Sequence, residues 1–127
     1  AVNGLIHGDL GRGATGISGE GDIRIIDFDD SGFGYYLFDL AIILEDSQDH
    51  QIPPAFREAL LEGYTRLRPF GRDQAEMLDL FLAAYAVYWS LFAVDAVRFH
   101  PEDREEIYER MARYLRLVEN YLSQNMR

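Results

Sequence analysis

The chain of 127 residues contains no cysteine and no lysine, so all twelve of its basic residues are arginine. The absence of cysteine excludes disulfide bonds and thiolate metal sites. It says little about the cellular compartment, because a cytosolic protein can simply lack cysteine. The absence of lysine excludes every role that needs a primary amine on a side chain.

Positive charge is scarce. The formal net charge is −10, and up to His50 ten acidic residues stand against only Arg12 and Arg24. Nucleic acids and anionic membranes bind basic surfaces, so neither is an expected partner. A metal ion or a cationic substrate would suit such a field, and a plain acidic surface would have the same composition.

Long apolar runs are also missing. Leu80 to Val94 is the most apolar stretch, with 15 residues between Asp79 and Asp95, whereas a membrane span needs roughly 20. We therefore expect a buried core helix there and no membrane partner. The first residues, AVNGLIHGDL, show no basic start followed by an apolar run, and we expect a cytoplasmic protein.

The residues that are present predict one mostly α-helical domain with a small N-terminal β-hairpin. Short apolar runs at Ile17 and 23–26 flank a turn-rich loop, as in a hairpin. Glycines and acids over 27–34 predict a break in regular structure. Helical patterns follow, and they are expected over 35–46, from Pro53-Pro54 to Arg68, over 72–98, and from Pro101 onward.

Gly11, Gly13 and Gly16 spell G-x-G-x-x-G, the pattern of a phosphate-wrapping loop. A dinucleotide-binding loop must open a helix, and residues 17–21 cannot start one. A kinase glycine-rich loop needs a lysine on a later strand, which this chain cannot supply. Residues 27–32 resemble the start of a calcium loop, but the twelfth position is Phe38 where that loop needs glutamate. We discount all three interpretations.

Two aspartates each follow a short β-like run, Asp9 in His7-Gly8-Asp9 and Asp27 in Ile25-Ile26-Asp27. A hairpin between them would bring the carboxylates together. Phosphoryl transfer needs two such groups, one to accept the proton of the acceptor hydroxyl and one to hold magnesium against the nucleotide phosphates. Either acid alone would more often cap a turn, but the two at this spacing favour chemistry.

The segments around both aspartates resemble the C-terminal lobe of the aminoglycoside phosphotransferase and choline kinase-like family; they are LIHGDL and IRIIDFDDSGFGYYLFDLAIIL. This family includes type II homoserine kinases and stress-response kinases, and its motifs are H-G-D-x-x-x-x-N and I-D-[FW]-[DE]. The resemblance covers about residues 5–44. It implies a protein-kinase-like fold and an enzyme that phosphorylates small-molecule hydroxyls with ATP and Mg²⁺.

The resemblance assigns roles to individual residues. Asp9 matches the catalytic aspartate, and Asp27 matches the magnesium-binding aspartate. His7 would support the catalytic loop through hydrogen bonds. Asp39, alone on an apolar face, resembles the buried aspartate that braces that loop. The remaining expected site residues are Asp29 and Asp30, which would bind a second ion or a cationic substrate. An equally favoured alternative is that both are loop acids in contact with solvent.

The chain departs from the family pattern in two respects. The metal-binding asparagine position is Ala14, and Gly11 stands where relatives often carry histidine or tryptophan. The lobe that would supply the phosphate-binding lysine has no counterpart in these residues. We therefore expect residues 1–127 to be a C-terminal lobe without its N-terminal ATP-binding lobe, inactive or nearly so alone, and self-associating through the surface that faces the missing lobe.

The acceptor stays open between small hydroxylated molecules and protein serine or threonine. Ala14 suggests an alternative to catalysis, in which the protein is a non-catalytic pseudokinase or binding module.

Overall fold

The structure, a computed structural model, describes residues 2–49, 53 and 55–126. Within them, four short strands precede four helices. The strands are β1 (Asn3–Ile6), β2 (Thr15–Ile17), β3 (Ile23–Ile25) and β4 (Gly32–Tyr35). The helices are α1 (Tyr36–Asp49), α2 (Ala55–Thr65), α3 (Arg72–Phe99) and α4 (Arg104–Asn125). Single 3₁₀ turns lie at Arg12–Ala14 and Pro101–Asp103.

The strands form two antiparallel ribbons. β2 pairs with β3, with Gly16 opposite Arg24, so the predicted hairpin is confirmed. β1 pairs with β4, with Leu5 opposite Phe33. This second ribbon was not predicted, and the expectation that residues 27–34 lack regular structure is wrong for the last three of them. Gly34 lies close to Ile6 of β1, and an added Cβ at Gly34 would overlap the Ile6 side chain.

The predicted helices are confirmed, with shifted ends. α1 begins one residue later than expected and extends to Asp49. α2 begins at Ala55; of the proline pair predicted to open it, Pro54 lies outside the described residues. α4 follows the 3₁₀ turn that Pro101 opens. The fold class predicted from the sequence, mostly α-helical with a small β-ribbon at the N-terminus, is therefore confirmed.

The chain divides into two compact units, residues 1–78 and 79–127. In the first, α1 supplies the largest share of buried apolar side chains: Leu37, Leu40, Ala41, Ile42 and Leu44. In the second, the buried Tyr114 ring of α4 makes edge contacts with Tyr85 and Trp89 of α3, at centroid distances of 6.3 and 5.3 Å. Each unit thus packs around side chains of its own.

The expectation that Leu80 to Val94 is a buried core helix is wrong for one side of α3. Leu82, Ala83, Ala86 and Ala93 are buried, but much of the opposite side is exposed. Among the described residues, α3 is the one helix long and apolar enough to cross a membrane by length and composition, which is weak evidence for a span. Only 22% of its most apolar 18-residue window is buried.

Gly4 in β1 is placed so that Tyr36 can pack on it. A Cβ atom added at Gly4 would overlap the hydroxyl and ring of Tyr36. That ring cannot retreat freely, because the Arg68 guanidinium lies 3.8 Å from its centroid on one face. The backbone N–H of Tyr36 also donates to the Val2 carbonyl oxygen at 3.2 Å. The first turn of α1 is therefore packed directly on the first ribbon.

We expect Gly4→Ala to lower the free energy of unfolding by about 1–3 kcal/mol, because overpacking forces the Tyr36 ring and the strand apart. Chemical denaturation measures this. The matched control is Gly16→Ala in β2, where an added Cβ meets nothing within 4 Å. A Gly4→Ala protein as stable as the Gly16→Ala protein would contradict the proposed contact.

Candidate active site

The loop after β1 carries the first predicted aspartate, and the first turn of α1 holds that loop in place. The Asp39 carboxylate accepts the backbone N–H groups of His7 and Gly8, one on each oxygen, both at 2.9 Å. Bonds from a charged acceptor are among the strongest in proteins. Asp39, predicted to brace this loop, therefore lies where it can do so, and Asp9 follows directly as an exposed side chain.

His7 links this loop to the segment after β3. Its buried ring places Nε2 2.9 Å from the Ile26 carbonyl oxygen, which can only accept. The proton therefore lies on Nε2, and Nδ1 is left to accept the Asp9 backbone N–H at 3.4 Å. Phe28 packs on the ring at a centroid distance of 4.8 Å. His7 thus makes the supporting hydrogen bonds predicted for it, and both of its ring nitrogens are engaged.

Asp27 has an unusual backbone. Its φ is +66°, in the left-handed region, and it is the one non-glycine residue with positive φ in the part of the chain that the structure describes. Non-glycine residues adopt this region at a cost and often do so at functional sites. The segment then turns, with the Ser31 N–H donating to the Phe28 carbonyl oxygen at 3.1 Å. The second predicted aspartate thus lies directly before a turn, in a left-handed backbone conformation.

The carboxylates form a crowded, exposed group. The pKa of Asp27 is raised from 3.8, first by a side-chain hydrogen bond with Asp29 and by the charge of that residue, then by desolvation and by the charges of Asp9 and Asp30. Like charges disfavour the ionised form. Three predicted site residues, Asp9, Asp29 and Asp30, therefore lie within electrostatic reach of Asp27, and Asp29 has the largest effect on it.

Contacts that were not predicted from the sequence hold the two aspartate segments together. The Ser31 hydroxyl donates to the His7 carbonyl oxygen at 3.3 Å. The Ile26 N–H donates to the Ala14 carbonyl oxygen at 2.9 Å. Gly8 has φ +88°, and a Cβ there would lie 2.5 Å from the Asp30 carbonyl oxygen. The H-G-D pattern itself could have signalled this close approach, since glycine tolerates both features.

The other glycines of the loop do not form a phosphate cradle. Gly16 lies in β2 and is followed by a turn and a strand, so the dinucleotide interpretation is wrong. Gly11 lies beside α1, where an added Cβ would be 3.5 Å from Cγ of Asp46. Ala14 is buried in the 3₁₀ turn. Its methyl group offers no donor atom where the family motif has asparagine.

The donor chemistry of this site fits a hard divalent cation such as Mg²⁺, because Asp27 and the neighbouring Asp29 supply carboxylate oxygens, the ligands that such ions prefer. Asp27 would hold this cation, and Asp9 would face it. Phosphate-binding lysine is excluded by composition.

The raised pKa of Asp27 generates a titration prediction. We expect carbon-detected NMR to give an Asp27 pKa above 3.8 in the folded chain. Because the folded state holds this proton more tightly than the unfolded state does, protonated Asp27 stabilises the fold at low pH. That stabilisation is lost as the pH rises through the raised pKa, where the ionised carboxylates repel one another. Asp29→Asn should move the pKa back toward 3.8, since it removes both leading causes.

Asp30→Asn is the matched control for Asp29→Asn, because the charge of Asp30 has the smallest effect on the Asp27 pKa among these causes. It should lower the Asp27 pKa less than Asp29→Asn does. An equal effect of the two variants, or an Asp27 pKa at or below 3.8, would contradict the geometry of the pair.

Comparison with known proteins places this site in a family. A model of the phosphotransferase enzyme family matches residues 2–78. A homoserine kinase of Pseudomonas aeruginosa is 33% identical over 102 residues, covering 77% of this chain and 32% of that protein. An uncharacterized protein of Deinococcus radiodurans is 29% identical over 105 residues, covering 78% of this chain and 30% of that protein. The chain thus spans about a third of the length of the curated relatives it matches.

A solved structure of the amicoumacin kinase hAmiN, in complex with AMP-PNP, Ca²⁺ and Ami, has a TM-score of 0.71 against this chain. The match covers 94% of this chain and 38% of that one at 23% sequence identity, so it shows a common fold. With the family match across both aspartate motifs, these observations establish that the chain belongs to the phosphotransferase enzyme family and has a kinase-like fold.

Proposed function

We propose that residues 1–127 act as the C-terminal lobe of an ATP- and Mg²⁺-dependent cytoplasmic phosphotransferase, which phosphorylates a hydroxyl of a small molecule. The observation that carries the proposal is the electrostatic proximity of Asp27 to Asp9, which follows directly on the loop residues braced by the Asp39 carboxylate. Family membership supports the reaction class. A lobe outside these residues would hold the nucleotide, because this chain has no lysine to contact phosphate.

In this proposal Asp9 orients the acceptor hydroxyl and takes its proton as the oxygen–phosphorus bond forms. The bond between the γ-phosphorus and the bridging oxygen breaks, and ADP leaves. Asp27 would hold Mg²⁺, which supplies charge neutralisation at the phosphates. His7 and Asp39 keep the loop in one geometry, and this matters because phosphoryl transfer depends mainly on positioning and electrostatics.

The similar proteins and the local charge support a proposal for the acceptor class. Two proteins similar to this chain are a homoserine kinase and an amicoumacin kinase, which supports a small-molecule acceptor. Asp29 and Asp30 lie exposed beside Asp27. We propose that they attract a cationic group of the acceptor or a second metal ion.

We expect Asp9→Asn in the full-length protein to lower kcat by about 100- to 10,000-fold, the usual contribution of a positioned general base. ADP release across a panel of amino alcohols, sugars, aminoglycosides and serine peptides measures this and also identifies the acceptor. Asp22→Asn, an exposed acid in the turn of the β2–β3 hairpin, is the control and should leave the rate unchanged. Full activity of the Asp9→Asn protein would remove Asp9 from its role.

Ala14 supports a second candidate, a pseudokinase or binding module. Ala14 is buried, and its carbonyl oxygen accepts the N–H of Ile26, the residue before Asp27. The family motif has a metal-binding asparagine at this position. If the site is catalytic but lacks one ligand, Ala14→Asn should tighten Mn²⁺ binding severalfold by calorimetry, and Asp27→Asn should abolish the gain. No gain in Mn²⁺ affinity, together with no ADP release for any acceptor in the panel, would favour the binding module.

A further inference from the structure

One long side of α3 is apolar and exposed. Its side chains recur along the helix and are between 46% and 70% exposed: Leu80, Val87, Tyr88, Leu91, Phe92, Val94 and Phe99. We call this set the α3 arc. At 100° per residue these positions cover about half of the helix circumference. Isolated exposed apolar residues are ordinary, but a contiguous strip of this length marks an interaction surface.

The α3 arc carries no charge along most of its length. No charged residue occurs between Asp79 and Asp95, and the charged side chains on the same side, Asp95 and Arg98, lie at its end. In a protein with a net charge of −10, about four turns of helix without an acid are a strong local departure. A surface that met only water would have no reason to exclude charge so completely.

The spacing within the α3 arc fits another helix. Four residues of the arc and the exposed Ala84 between them follow one another at alternating steps of four and three residues: Leu80, Ala84, Val87, Leu91 and Val94. Apolar residues at this spacing form the seam of helices that pack side by side. A lipid-facing helix needs no such seam. The opposite side of α3 is buried in protein, and the negative net charge opposes anionic membranes.

The size of the α3 arc matches one half of a stable interface. Seven large side chains, each about half to two-thirds exposed, present on the order of 700–800 Å² of apolar surface. A standard specific interface buries about 800 Å² on each partner. A second copy of the same chain offers this surface with the same lack of charge, and a two-fold axis brings the two surfaces together.

We propose that the α3 arc is a self-association surface, on which a second copy of this chain packs α3 against α3. This proposal is independent of the proposed phosphotransferase activity, since it uses none of the aspartates of the active site. Because both copies carry −10, their mutual repulsion opposes association at low ionic strength. Added salt screens that repulsion and should strengthen the dimer.

Sedimentation velocity of the 127-residue chain at micromolar concentrations tests the proposal. We expect a concentration-dependent dimer whose Kd falls as NaCl is raised. Leu91→Glu at the middle of the arc should weaken the dimer at least tenfold, because it places a carboxylate in an apolar seam. The matched control is Leu115→Glu on α4, where the leucine is 58% exposed compared with 68% at Leu91.

Circular dichroism should show both variants folded, since both positions are exposed; Val94→Glu is the second arc variant if Leu91→Glu fails to fold. A monomeric wild-type chain at high concentration would overturn the proposal. So would equal dimerisation of Leu91→Glu, or a stronger loss in Leu115→Glu. Flotation with neutral vesicles in place of self-association would assign the arc to a membrane. Loss of dimerisation when flanking residues of the same gene are included would assign it to an intramolecular partner.

Discussion

The two hydrogen bonds of the Asp39 carboxylate are the constraint on which the active site depends. One side chain at the start of α1 accepts backbone N–H groups from a loop more than thirty residues earlier in the chain. Because each oxygen takes a different amide, the loop can neither rotate nor slide without breaking a charge-assisted bond. Asp9, the next residue, therefore projects from a fixed backbone.

The same constraint concentrates negative charge. With the loop held by Asp39 and joined to the β3 end through His7 and Ile26, three neighbouring carboxylates lie within electrostatic reach of Asp27 and raise its pKa. Folding brings these charges together although they repel, and Asp27 adopts a left-handed backbone as well. Strain and repulsion at one place are typical of sites built for a ligand, and a bound cation would relieve the repulsion.

Several features could be predicted from local patterns alone. The hairpin around residues 18–22 follows from a turn-rich loop between apolar runs, and the helices follow from 3.6-residue periodicity and proline positions. The roles proposed for Asp9, Asp27, His7 and Asp39 came from their motifs, and the structure places all four in one network. The β1–β4 ribbon was missed because Gly32 and Gly34 have low strand propensity, and the packing of Ile6 on Gly34 across the ribbon is a tertiary contact.

The exposure of α3 was also beyond prediction. An apolar run between two aspartates is equally compatible with a core helix and with a docking helix, because periodicity reports which residues are apolar and not what covers them. By itself, the sequence determined the helices, the hairpin, the acidic character of the first fifty residues and the identity of the aspartates, since each depends on neighbours along the chain. Only the tertiary structure decided that Asp27 pairs with Asp29, that His7 carries its proton on Nε2 and that α3 leaves one side open, because those features depend on contacts and burial that the fold alone creates.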